Sequence, residues 1–305
     1  MTISTKDIYS SLRQAICSIL GEDRKIVRFV PVSGGDINEA YRLELHDGSL
    51  VFMKTNRKEN LSFFTTEAAG LRVIAATGAI AAARVLGCGT DEGNGGYAFL
   101  LLEYIAGRDR AADYWETFGR ELAAMHRAPT AELVPGGRYG FAEDNYIGAS
   151  RQINTACDNW TAFFRDCRLE PQLRSAAAYF ERADLRRSGR LLDQLENILD
   201  EPRQPSLLHG DLWSGNVMTG ADGNVWLIDP AAYVGHAETD LAMTELFGRF
   251  PRRFYDAYRE VMPLQPGYAD RLDLYHLYHL LNHLNLFGRA YLSPVQQILK
   301  RYVWL

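Results

Sequence analysis

His209-Gly210-Asp211-Leu212-Trp213-Ser214-Gly215-Asn216, followed by Val225-Trp226-Leu227-Ile228-Asp229, is the stretch on which the reading of this chain turns. Asp211 and Asn216 lie five residues apart, so one short loop carries a carboxylate and an amide. Asp229 closes an apolar run that reads as a strand. A carboxylate can orient and deprotonate a hydroxyl. Carboxylate and amide oxygens suit a hard divalent cation, and an amide adds a ligand without adding negative charge.

The spacing equals that of the H-R-D-x-x-x-x-N loop of protein kinases, which a second acidic residue, that of D-F-G, follows after a short hairpin. It predicts phosphoryl transfer, with Asp211 as catalytic base and Asn216 and Asp229 as Mg²⁺ ligands. His-Gly-Asp-Leu in place of His-Arg-Asp-Leu resembles small-molecule kinases of the aminoglycoside phosphotransferase type. The longer run LLHGDLWSGNV, residues 207–217, is narrower and resembles the fructosamine kinase (ketosamine-3-kinase) family. So do Asp229-Pro230-Ala231, the run Gly235-His236-Ala237-Glu238-Thr239-Asp240-Leu241-Ala242-Met243, and Gly140-Phe141 through Asn145-Tyr146-Ile147-Gly148. The resemblance covers nearly the whole chain. It implies ATP and Mg²⁺ as cofactors and transfer of the γ-phosphate to the 3-hydroxyl of a ketosamine, fructosamine or ribulosamine in type. The 3-phosphate would then break down and release the amine, a deglycation. Composition and spacing do not identify that acceptor.

The chain has 305 residues, 47% hydrophobic and 23% charged, as in an ordinary globular protein with a real core. Its net charge of -5 gives no basic field for nucleic acid or anionic lipid. Cys17, Cys88, Cys157 and Cys167 are widely spaced, without a C-x-x-C pattern. The first twenty residues lack the basic and apolar regions of a signal peptide, and no stretch reaches the ~18 apolar residues of a membrane span. These features predict a protein of a reducing cytosol.

Residues 5–20 read as a helix with Ile8, Leu12, Ile16, Ile19 and Leu20 on one side. Strands are predicted at 25–32, 39–45 and 49–54, the last two joined by Asp47-Gly48, a strong hairpin signal. A helix at 62–77 and strands at 85–88 and 97–103 follow. Beyond Gly107 helical patterns dominate, at about 113–127, 159–168, 171–181, 188–199, 238–248, 251–261 and 270–289. The predicted fold is α+β, a two-lobe protein-kinase-like architecture. An N-terminal nucleotide-binding lobe of antiparallel sheet with a helix spans 1–102, a hinge 103–107, and a larger, mainly helical catalytic and substrate lobe 108–305. In such folds the nucleotide sits between the lobes. Glu103, Tyr104 and Ile105 are the predicted hinge contacts, where an edge strand would offer N–H and C=O groups to the adenine.

Lys54 ends a buried strand, as in the kinase V-A-I-K motif, where lysine meets the phosphates and a helix glutamate. Glu67 is its predicted partner. Gly34, Gly35 and Asn38 belong to a turn that could cover phosphates, since glycines let backbone N–H groups approach closely. Some members of the resembled family have cysteine where this chain has Asp36, with redox control, so no such switch is carried over. Trp213 reads either as a platform for the apolar face of a sugar or as a packing anchor for its loop. His236 and Glu238 are candidates for the border of the substrate cleft. His209 reads as a loop-ordering residue, and Asp240 as the carboxylate that ties back to the catalytic-loop backbone. His276, His279 and His283 share one helix, but the H-E-x-x-H spacing is absent and packing accounts for them.

The resemblance implies a small-molecule or protein-bound ketosamine as partner, and the composition predicts no nucleic acid or membrane; a monomer or homodimer is expected. Two alternatives stay open: a kinase of another amine alcohol, such as an aminoglycoside or choline, and an inactive nucleotide-binding scaffold. A protein kinase is disfavoured by the missing A-P-E after Asp229 and by Gly210 in place of arginine.

Overall fold

The computed structural model describes residues 5–21, 23–33, 37–91 and 96–302. In chain order the elements are α1 (Thr5–Leu20), β1 (Ile26–Val32), β2 (Glu39–Leu45), β3 (Leu50–Arg57), α2 (Leu61–Ala76), β4 (Ala81–Ala82), β5 (Val85–Thr90), β6 (Tyr97–Glu103) and α3 (Tyr114–His126). Then come β7 (Asn145–Ile147), β8 (Ser150–Gln152), α4 (Trp160–Phe164), α5 (Glu170–Ser175), α6 (Arg182–Ile198), β9 (Ser206–Leu208), β10 (Val217–Thr219), β11 (Val225–Leu227) and β12 (Tyr233–Gly235). Four helices close the chain: α7 (Glu238–Leu246), α8 (Arg252–Val261), α9 (Tyr268–Phe287) and α10 (Leu292–Arg301).

The chain forms two compact units. The first holds the described residues up to Ala111 together with Met218–Asp229; the second holds Ala112–Val217 and the described residues from Pro230 onward. The sequence placed the whole of 108–305 in one lobe. The return of 218–229 to the first unit has a local cause. β11 pairs in parallel with β4, Trp226 opposite Ala81 and Leu227 opposite Ala82, and the Ala111 N–H donates to Gly223 O at 3.0 Å.

In the first unit five strands form an antiparallel sheet in the order β1-β2-β3-β6-β5. Strand alternation sends Leu43, Leu45, Val51, Met53, Phe99 and Leu101 to one face, where Leu12 and Ile16 of α1 cover them. Lys54 follows Met53 and so points to the other face, where it meets Glu67 of α2. β6 was expected to be an edge strand at its end. It is an inner strand, because β5 folds back along its far side.

The second unit is mainly helical. α3 and α8, with Phe250 just before α8, pack through Trp115, Phe118, Phe250 and Phe254, with ring centroids 4.9–6.5 Å apart. Gly119 permits this approach: a Cβ there would lie 2.3 Å from Phe254 O. Three sequence expectations shift. α6 begins at Arg182 rather than 188, since the charged 182–187 stretch hides its helical period. The helical segment expected at 159–168 contains a π-helical turn at Arg165–Leu169. α10 was not foreseen; Pro294 lies in its first turn, where its missing N–H costs nothing. Among the described residues no helix is long and apolar enough to cross a membrane.

Gly119→Ala should force α3 and α8 apart and destabilise the protein by about 1–3 kcal/mol, the usual cost of overpacking. Thermal unfolding should show the midpoint falling by a few degrees; an unchanged midpoint would contradict the close helix contact.

Candidate active site

The first unit brings Lys54, Glu67 and Asp229 together. Lys54 is buried and its Nζ donates to Glu67 Oε1 at 2.8 Å and to Asp229 Oδ1 at 2.6 Å. Burial pushes the ammonium pKa down, but the charges of Asp229 and Glu67 outweigh it and leave the lysine raised, so it remains a cation. Burial raises the Glu67 carboxyl, the repulsion of Asp229 adds to that, and Lys54 opposes both. Asp229 is the one non-glycine residue with positive φ among the described residues, at 56°, and its side chain is 41% exposed. A non-glycine residue held there is strained, and such strain clusters at functional sites.

The second unit holds the loop His209–Asn216. It leaves β9 and turns at Gly210, whose φ is +82°. A Cβ at Gly210 would lie 2.1 Å from Ala231 O, so the arginine of H-R-D has no room in this chain. The Asp240 carboxylate receives the N–H of His209 on Oδ2 at 2.7 Å and that of Gly210 on Oδ1 at 2.9 Å. His126 Nε2 reaches Oδ2 at 3.2 Å, and its Nδ1 lies 2.8 Å from Tyr258 Oη. Burial raises the Asp240 pKa, but the His126 hydrogen bond and charge, with the Gly210 N–H, bring it below the usual value. The tie expected of Asp240 is thus present. His209 also acts as expected of a loop-ordering group: its ring is buried and Nδ1 accepts the Asp211 N–H at 3.2 Å.

Asn216 faces Asp211. Its Nδ2 donates to Asp211 O at 2.8 Å and to Asp211 Oδ2 at 2.9 Å. The Asn216 amide oxygen is a candidate cation ligand and the Asp211 carboxylate a candidate proton acceptor. Trp213 is 36% exposed, with its ring edge-on to Phe247 at 6.3 Å. It is both packed and accessible, so either of its expected roles is sterically open.

Other expected residues are placed differently. Gly34, Gly35 and Asp36 lie outside the described residues. Asn38 Oδ1 accepts from Asn56 Nδ2 at 2.7 Å, which ties the end of that turn to β3. Glu103 closes β6; its N–H already donates to Arg84 O at 2.9 Å and its carboxylate receives the Arg84 N–H at 2.7 Å. Tyr104 and Ile105 follow beyond the strand. Glu238 is buried in an ion pair. Arg271 Nη2 and Nε occupy its two oxygens at 2.7 and 2.8 Å. His236 is likewise buried, packed against Trp160 and Tyr275, and burial lowers its pKa to about 3, so it stays neutral. His276 Nε2 meets Ala242 O, His283 Nδ1 meets His279 O, and the His283 ring lies 4.6 Å from Phe247. Those bonds and ring contacts belong to packing.

Some important residues gave no sequence signal. His126 and Tyr258 lie on α3 and α8, 114 and 18 positions from Asp240 in sequence, and nothing short of the packed helices brings the three together.

Together these units have the protein-kinase-like fold of a phosphotransferase. A solved Haemophilus somnus structure named as a fructosamine-3-kinase matches with a TM-score of 0.86 at 28% identity, over 99% of this chain and 100% of that one. The aminoglycoside phosphotransferase APH(4)-Ia, at 15% identity, shares the fold with a TM-score of 0.62 over 95% of this chain and 99% of that one. The fructosamine kinase family model matches residues 8–304, and the chain belongs to that family. The Synechocystis protein named "Probable ketoamine kinase slr1563" is 38% identical over 99% of each chain. The chloroplastic protein-ribulosamine 3-kinase of Oryza sativa subsp. indica is 37% identical over 95% of this chain and 86% of its own.

Gly210→Ala should displace the loop from Ala231. A misplacement of ~1 Å can cost about 10²-fold in rate, so phosphotransfer turnover per folded molecule should fall by about that factor. Wild-type turnover in this variant would show that the Gly210 contact does not set the loop.

Proposed function

We propose that this protein transfers the γ-phosphate of ATP to the 3-hydroxyl of a ketosamine of the fructosamine or ribulosamine type, with breakdown of the 3-phosphate releasing the amine. Membership of the fructosamine kinase family supports the reading, as do the ketoamine and ribulosamine kinase names of its relatives. The observation that carries it is the Asp211–Asn216 pair. The Asn216 amide donates to both the backbone oxygen and the carboxylate of Asp211, which fixes the carboxylate in the loop as the proposed proton acceptor.

In this reading Asp211 orients the 3-hydroxyl and accepts its proton as the oxygen attacks phosphorus. Lys54 pairs with the phosphates of ATP, and Glu67 keeps its ammonium in place and charged. The Asn216 amide oxygen and the Asp229 carboxylate would hold Mg²⁺. Both are hard oxygen donors, and Asp229 engages Lys54 through Oδ1, which leaves Oδ2. Bound Mg²⁺ neutralises phosphate charge in the transfer. The backbone of Glu103, Tyr104 and Ile105 and the turn at Gly34 and Gly35 are assigned to ATP, and Trp213 to the sugar. His236 and Glu238, which line one cavity, are kept as candidates for the border of the acceptor cleft. All four cysteines are free thiols, which supports a reducing, cytosolic setting.

The test is a panel of fructosamines, ribulosamines, aminoglycosides and choline, scored by ATP consumption and by NMR of the phosphorylated position. Ketosamines should give the highest kcat/KM, with phosphate on the C3 oxygen. Asp211→Asn should lower kcat by about 10²–10⁴-fold, the usual scale of general-base catalysis, while ATP binding persists. A better aminoglycoside substrate would overturn the acceptor, and near-wild-type kcat in Asp211→Asn would remove the base.

A further inference from the structure

The stretch Gly140–Gly148, part of the family resemblance, has so far no task. In the structure it leads into the β7–β8 hairpin, where Asn145 and Gln152 are register partners, both at most 3% exposed. Asn145 Nδ2 donates to Ala232 O at 2.7 Å. Gln152 Nε2 donates to Ala231 O at 3.0 Å and to Asn145 Oδ1 at 2.8 Å. Gln152 Oε1 accepts the Tyr278 hydroxyl at 2.7 Å, and Asn154 Nδ2 adds a bond to Asn145 Oδ1 at 3.0 Å. Arg168, fully buried, closes the network from behind: Nη2 donates to Asn154 Oδ1 at 2.8 Å, and the guanidinium lies 3.9 Å from the Tyr233 ring centroid. Further along the same segment, Gly140 and Val234 exchange backbone hydrogen bonds of 3.0 and 2.8 Å.

Residues 231–234 are thus gripped at Ala231, Ala232 and Val234. Ala231 O is the atom against which Gly210 lies, with no space for even a methyl group between them. A buried amide pair costs several kcal/mol unless its hydrogen bonds are made. An apolar pair would fill the same volume more cheaply, but it could not hold two carbonyls in place.

We infer that Asn145 and Gln152 are positioning residues for the catalytic loop: their side-chain amides fix the Ala231 and Ala232 carbonyls, and the fixed Ala231 carbonyl sets the path of Gly210 and Asp211. The grip acts through the backbone and touches no reacting atom. Its effect on turnover rests on the phosphotransfer reading above; its effect on the loop does not.

The experiment measures amide hydrogen exchange of the peptide 207–216, together with kcat and ATP KM on a ketosamine, in Asn145→Asp, Gln152→Ala and Arg151→Ala. Asn145→Asp keeps the Oδ1 acceptor and loses the donor to Ala232. Arg151 stands on the same hairpin but is exposed and pairs with Asp144 at the surface, so Arg151→Ala is the control. Exchange in 207–216 should rise at least about tenfold in the first two variants and stay unchanged in the third. Their kcat should fall at least about tenfold, with ATP KM within about twofold, as expected of a misoriented base. Should Gln152→Ala not fold, Gln152→Glu, which keeps the acceptor for Tyr278, takes its place. Wild-type exchange in 207–216 would overturn the inference. So would acceleration spread equally over α6 with kcat per folded molecule unchanged, which marks a merely structural role. If the wild-type protein turned over no ketosamine, the acceptor assignment would fall and the exchange result would still decide.

Discussion

One buried carboxylate, that of Asp240, holds the His209–Asn216 loop in shape. Moving a carboxylate out of water costs several kcal/mol unless donors replace the lost solvent. Asp240 has three: the N–H groups of His209 and Gly210, and His126. It therefore stays ionised in the interior and orders two consecutive peptide units just before Asp211, the proposed base. His126 in turn meets Tyr258, so the carboxylate depends on α3 and α8 lying close. Gly119 allows that closeness. A missing side chain on one helix thereby bears on the geometry of a loop far from it in sequence.

The loop is held from a second direction by Ala231, against which Gly210 is pressed. Gly210 must be glycine for two independent reasons, its left-handed backbone and this contact. The arginine found there in protein kinases is thus excluded by geometry. In the other unit Lys54 sits between two carboxylates, those of Glu67 and Asp229. Such a group suits a bound cation as well as a phosphate-contacting lysine, since part of the Asp229 carboxylate is left uncommitted by Lys54.

Much of this was legible in the sequence because it is local. The strands β1, β2 and β6 follow from short apolar and β-branched runs bounded by turn residues, the β2–β3 turn from Asp47-Gly48, and the Asp211–Asn216 pair from a fixed spacing. The Lys54–Glu67 pair follows from strand and helix order. What was not legible is set by long-range packing. His126 and Tyr258 look like ordinary helix residues until α3 meets α8. Asn145, Gln152 and Arg168 are polar residues whose burial cannot be read from their neighbours. The ion pair of Glu238 gave no signal because Arg271, which takes both its oxygens, lies 33 positions away. β6 reads as an edge because the sequence does not say on which side β5 returns.

The account turns on the claim that the Asp240 carboxylate positions the catalytic loop. The most direct measurement is kcat of Asp240→Asn per folded molecule, with the thermal midpoint measured on the same sample. The amide has nearly the same shape, but its NH₂ group must face a donor that the carboxylate accepted. Leaving one buried donor unmet costs about 1–3 kcal/mol, and each ~1.4 kcal/mol is tenfold in rate. The predicted result is a fall in kcat of about 10–100-fold in protein that remains folded. Wild-type kcat in folded Asp240→Asn would contradict the account.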